Sequence, residues 1–301
     1  MKTIGKSVSF LIGCLAVTRA FALDLPAPTS FLDLPASTAH IADRYPATLQ
    51  SAPEYILIQD LHRHPEVQQH IADILTQVQR QWGLHQVFVE GAFAEVHVSP
   101  TEKEIDMTGA ELAATREPLH LQGIEDRDLY EEHLTVYERI LERRELALGE
   151  IDRIQNIQKE LQLPAVHPMV QQLERVRQLV QLKMTPRVYA DYLSQKALSP
   201  HSAALTPVIA DAERFYELTD ARNDVFLRNA GRYAADAQGL RVLVVGGFHT
   251  EGLARRLRAQ GHSYIVLAPT VTQGGYDKLY EKRMIDTVSA LQISHPFINS
   301  R

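Results

Sequence analysis

Two apolar runs that each stop at a histidine constrain this chain more than any other feature. Tyr55-Ile56-Leu57-Ile58 leads into Gln59-Asp60-Leu61-His62-Arg63-His64-Pro65, and Val242-Leu243-Val244-Val245 leads into Gly246-Gly247-Phe248-His249. Both runs are continuous rather than alternating, which marks a strand covered on its two faces. Helical spacing follows each run. After Pro65, whose missing N–H suits the first turn of a helix, come Val67, Ile71, Ile74, Leu75, Val78 and Trp82, with Gly83 as the stop. Gln86–Glu90 is then a second strand, so strand, helix and strand form a parallel βαβ unit. The expected fold class is α/β, a mostly parallel sheet with flanking helices.

The remaining segments fit that frame. Leu119–Ile124 reads as a short strand ending in Glu125 and Asp126. Leu240–Val245 is a strand, Glu251–Gln260 a helix and Tyr264–Ala268 a strand, which make a second βαβ unit. Residues 91–117 are irregular, with one helix near Ala110–Arg116. Between the two units, Arg127 to about Leu161 steps by threes and fours through Tyr130, Leu134, Tyr137, Leu141, Leu148 and Ile151. Leu163–Pro168 breaks the pattern, Met169, Leu173, Val176 and Val180 resume it, and a third helix covers about Val188–Leu198. This is an inserted antiparallel helical hairpin, a candidate lid, dimer contact or structural arm. Pro207–Tyr233 is a further helix. The expected organisation is a core domain over 53–126 and 204–301, with the helical insertion over 127–203. A lead-in of Pro, Ala, Ser and Thr covers 23–52, with a short helix around Thr38–Tyr45, and a C-terminal helix covers Tyr276–Leu291.

Residues 1–22 have the order of an export signal. Lys2 and Lys6 precede the apolar stretch Val8–Val17, and Ala20-Phe21-Ala22 fits small-x-small cleavage. The protein is therefore expected to be exported, periplasmic or secreted. Leu11-Ile12-Gly13-Cys14 also resembles a lipobox, so a lipid anchor at Cys14 is the alternative, and the only one that brings in a membrane. Cys14 is the single cysteine. Cleavage after Ala22 leaves no disulfide, thiolate metal site or cysteine nucleophile. A formal net charge of −6 makes the chain a poor candidate for binding nucleic acid, because phosphate contacts need clustered Lys and Arg. A small-molecule or peptide substrate is expected instead.

Open parallel sheets bind ligands beyond the carboxyl ends of their strands. Those ends carry Asp60, His62 and His64, then Glu90, then Glu125 and Asp126, then His249 and Glu251. Histidines and carboxylates converging there suit acid–base catalysis or a divalent metal. His62, Glu90, Arg222 and His249 are the candidate catalytic residues. His62, His249, Asp60 and His64 are the candidate metal ligands, although His64 beside Pro65 could equally cap the helix. Thr250 reads as the cap of the helix that follows His249. Arg222 lies on the apolar stripe set by Phe215, Leu218, Val225 and Phe226, so it points inward and needs an acidic partner: Asp60, Glu90 or a substrate carboxylate.

Four of these segments, in order, carry a resemblance. Ile58-Gln59-Asp60-Leu61-His62 looks like the Gly-Glu-x-His turn of the superfamily that includes erythromycin esterases, ChaN-like haem-binding lipoproteins and the TraB/Tiki proteins. Val87-Phe88-Val89-Glu90 resembles its second strand, and Arg222-Asn223 its later Arg-Asn pair. Gly246-Gly247-Phe248-His249-x-x-Gly252 resembles its second Gly-x-x-His motif. Gln59-Asp60 departs from the usual Gly-Glu, and the shorter acid bears directly on metal binding. The resemblance implies a hydrolase of peptidase or esterase type, with a divalent metal as a candidate cofactor. The alternative it implies is a ChaN-like protein binding haem or metal without catalysis, its axial ligand drawn from the eleven tyrosines. Superfamily membership would not by itself choose between them.

Overall fold

The computed structural model describes residues 34–45, 55–61, 64–98, 103, 107–235 and 239–272. The export signal, Cys14, most of the lead-in, His62 and the C-terminal helix expected at 276–291 lie outside the described residues. The molecule is α/β, as the apolar runs require. Seven strands form one sheet: β1 (Ala39–Tyr45), β2 (Tyr55–Asp60), β3 (Gln86–Val89), β4 (Glu95–Val96), β5 (His120–Gly123), β6 (Arg241–Gly246) and β7 (Tyr264–Pro269). Their order across the sheet is β1-β7-β2-β6-β3-β5-β4. The five inner strands are parallel, and β1 and β4 close the edges antiparallel.

The helices are α1 (Pro65–Trp82), α2 (Gly109–Arg116), α3 (Arg127–Glu160), α4 (Pro168–Val180), α5 (Pro186–Ser194), α6 (Leu205–Tyr233) and α7 (Gly247–Ala259). The continuous apolar strands divide their side chains between two faces. Ile56, Ile58, Val87, Val242 and Val244 pack under α1 and α2, while Leu57, Phe88, Leu243 and Val245 pack under α6 and α7. That division is what an internal parallel sheet demands of its sequence. α1 is stopped at Gly83, whose φ of 66° is the left-handed value that favours glycine.

α3 and α4 form the inserted hairpin, and its apolar cluster continues into the first half of α6 through Leu205, Val208, Ala212 and Phe215. The second half of α6, with Phe226 and Ala230, instead joins the sheet. One helix thus belongs to both apolar clusters. Among the described residues no helix is long and apolar enough to cross a membrane.

Three local expectations are corrected. Ala39–Tyr45 is an edge strand on β7, not a helix. Helix α7 begins at Gly247, so His249 and Thr250 sit inside its first turn, and Thr250 is not its cap. Its hydroxyl donates back to the Gly247 carbonyl (2.9 Å) and accepts from Gln59 Nε2 (3.0 Å). Third, His64 holds the N-cap position of α1 but its side chain makes no capping hydrogen bond.

Candidate functional site

Strand order decides which chain ends meet. β6 fills the slot between β2 and β3, so Gly246 lies opposite Asp60 on one side and beside the end of β3 on the other. Glu90 follows β3 directly, and its backbone N–H donates to the Val244 carbonyl (3.2 Å). Its side chain turns to the end of β6, where Oε2 accepts the Gly246 N–H at 2.6 Å. Gly91 follows with φ at 81°, and its N–H donates to Glu125 Oε1 (3.2 Å). Ile124, just past β5, donates to the Val89 carbonyl (3.2 Å), which brings Glu125 alongside Glu90.

Arg222 enters this acidic corner from α6. It is 3% exposed and spends its donors on named partners. Nη2 donates to Glu90 Oε1 (2.8 Å) and to Glu125 Oε1; Nε donates to Glu125 Oε2 (3.2 Å); Nη1 faces His133 Nδ1 (3.3 Å). The rings of Tyr130 and Phe226 each lie 5.3 Å from the guanidinium carbon. Two carboxylates beside one buried cation compete for it. Burial pushes the Glu125 carboxyl up, and Glu90 adds to the rise, although Arg222 opposes it. Burial alone would lower Arg222, but Glu90 and Glu125 more than reverse this and hold it charged. Tyr130 is pushed up to about 12, chiefly by burial, so its hydroxyl stays protonated at neutral pH.

His249 completes the cluster. Its Nδ1 stands 2.9 Å from Asn223 Oδ1 and its Nε2 stands 3.2 Å from Glu90 Oε1. An amide oxygen only accepts, so Oδ1 takes the Nδ1–H of His249. That assignment commits Nδ1 and turns Nε2 toward Glu90.

The structure thus brings Glu90, Arg222 and His249 together and adds Glu125, Asn223, Tyr130 and His133. Of the partners expected for Arg222, Glu90 is present and Asp60 is elsewhere; Glu125, which was not among them, takes the larger share. Asp60 instead accepts from Gln68 Nε2 (2.7 Å), whose Oε1 accepts the Gly109 N–H (2.6 Å) and ties α1 to α2. Asp126 caps α3 by accepting from the Leu129 N–H (3.1 Å), and Glu251 is exposed on α7. Among the described residues no three of His, Cys, Asp and Glu converge to hold a metal ion. The two nitrogens of His249 already face Asn223 and Glu90, and the oxygens of Glu90 already face three donors. Of the four ligands expected, His62 lies outside the described residues, and Asp60 is turned to Gln68.

Some of what sequence reading missed had a signal. His133 stands three residues after Tyr130 and four before Tyr137, on the buried stripe of α3. Glu125 was visible as a strand-end acid, yet β5 is only four residues long and gives no hint of its neighbour in the sheet. Comparison with protein-family models, with curated proteins and with solved structures gives no match in any of the three.

Proposed function

We propose that the chain is a hydrolase-like enzyme of the esterase or peptidase type that its motifs resemble, with His249, Glu90 and Arg222 as the fixed part of its site. One observation carries the reading: an imidazole whose Nδ1 is tied to Asn223 presents its Nε2 to a carboxylate that Arg222 and the Gly246 N–H hold in place. An oriented histidine beside a fixed carboxylate is the arrangement general acid–base catalysis uses. In this reading a proton held between His249 Nε2 and Glu90 passes to the leaving oxygen or nitrogen as water adds to the acyl carbon. Arg222 balances the charge of Glu90 and stays on the protein. His62 is assigned the activation of that water on the strength of its sequence motif alone. No step is routed through a metal.

The test is turnover on chromogenic esters and short peptides. Glu90→Gln and His249→Gln, which keep the volume, are each expected to lower kcat about a hundredfold or more. Both variants retaining wild-type turnover sinks the reading. A Soret band on adding haemin, with no turnover of any substrate, would favour the ChaN-like alternative. Activity is expected to survive dialysis against a chelator, and its loss and recovery with added zinc would return a metal to the mechanism.

A further inference from the structure

We infer that His133, on the first turns of the inserted helix α3, is a positioning residue that locks the Arg222 guanidinium in the orientation that serves Glu90. The inference rests on the proposed catalytic reading of Glu90. Its geometry stands on hydrogen bonds that fix the tautomer. The Thr219 hydroxyl has one proton, and it goes to the Phe215 carbonyl at 2.8 Å, four residues back on α6. The Thr219 oxygen can then only accept from His133 Nε2, 3.1 Å away, so Nε2 carries the ring proton. Nδ1 is left as a lone pair, and Arg222 Nη1 donates to it at 3.3 Å. The ring is further held by stacking on Phe215, with centroids 4.2 Å apart.

Arg222 is therefore gripped at both ends of its planar fork. Glu125 takes Nε, His133 takes Nη1, and Nη2 is left aimed at Glu90 and Glu125. Without the His133 lone pair, the planar guanidinium loses its tether at Nη1 and can swing as a unit about Cδ–Nε, away from Glu90. The charged and titratable groups around His133 are Arg222 from α6, Glu90 after β3 and His249 from α7. Burial, Arg222 and His249 lower its pKa well below the usual histidine range, and Glu90 opposes them. The ring therefore stays neutral and keeps its lone pair. In this account the helical insertion contributes to the site and is more than an arm attached beside it.

Asparagine and glutamine separate this role from a structural one. Asparagine places an oxygen where Nδ1 stands and keeps the acceptor for Arg222. Glutamine places an amide nitrogen where Nε2 stands and keeps only the tie to Thr219. His133→Asn is expected to hold kcat within about threefold of wild type, while His133→Gln loses about tenfold or more at a similar Tm. Equal kcat for the two variants, or the reverse order, overturns the inference. Nitrogen-15 spectra of the histidine-labelled full chain decide independently of turnover. A neutral Nε2–H tautomer at residue 133 at pH 7 is expected, and an Nδ1–H tautomer overturns the inference. Absence of all ester and peptide turnover, together with the Nε2–H tautomer, would remove the hydrolase reading and leave the lock on Arg222 standing.

Discussion

The buried charges explain which single substitutions this protein tolerates. Arg222 serves two carboxylates and a histidine at a largely buried corner, so removing it strands Glu90 and Glu125 without their cation. Breaking a buried ionic group from one side costs about 3–5 kcal/mol. Arg222→Met is expected to lose that much in urea unfolding, and a loss under 1 kcal/mol would show that the pairs are not closed in solution. Lysine does not rescue the site, because one ammonium cannot reproduce a planar fork with several fixed donors. Gly252 is a subtler case. A Cβ there would stand 2.3 Å from Asn223 Nδ2. Asn223 is buried and bonded to His249, so it cannot yield without releasing the imidazole. Gly252→Ala is therefore expected to lower turnover about tenfold or more, with a smaller effect on Tm than Arg222→Met; unchanged kinetics would mean that Asn223 does not orient His249. The spacing of Gly252 after His249 was legible in the sequence. The reason for it was not, because Asn223 reaches it from another helix.

At the level of elements, the sequence is most informative where burial is symmetrical. The runs in β2, β6 and β7 are apolar throughout because both faces are covered, and their identity could be read directly. β1 escaped because only Ala39 is buried along it. A strand that lies almost wholly in solvent leaves no period in its sequence, and here it is the open edge of β7 that determines its conformation. The start of α7 escaped because Gly246 and Gly247 read as loop residues and Thr250 as a cap. His249 was thereby placed before a helix instead of within it. The edge strand also has a protective role. β7 is buried along its length and pairs with β1 through six registered positions. Taking away residues 34–45 would leave an apolar strand edge unpaired, a template for association with other chains. A variant lacking them is expected to elute as aggregates in gel filtration; a monodisperse monomer would show that the edge is protected by other means.

Across the whole molecule, the site makes stability depend on pH in two opposing ways. Glu125 has its pKa raised by burial, so its contribution is full below about 4.5 and is lost as pH rises through the folded value. His133 has its pKa lowered by burial and by Arg222, so its contribution is full above about 6.5 and is lost as pH falls below that. The Glu125 slope is negative just above 4.5, and the His133 slope is positive just below 6.5. Asp220 and Asp224, held low by hydrogen bonds to Arg256, add a further loss only below about 3.8. The fold's strand order is the reason these groups meet at all. Glu125 follows β5, Arg222 comes from α6 and His133 from the insertion, so no local stretch of sequence encodes their coupling. Substitution exposes each slope in turn. Each substitution is read against the wild type, so that groups common to both, such as His262 with its lowered pKa, cancel. His133→Asn removes the rising contribution, so its unfolding free energy is expected to fall relative to wild type as pH rises toward 6.5. Glu125→Gln removes the falling contribution, so its unfolding free energy is expected to rise relative to wild type as pH rises from 4.5. Either difference is bounded by one proton, about 1.4 kcal/mol per pH unit. Denaturant titrations at half-unit steps read both, and differences of the same sign in the two variants would refute the assigned shifts.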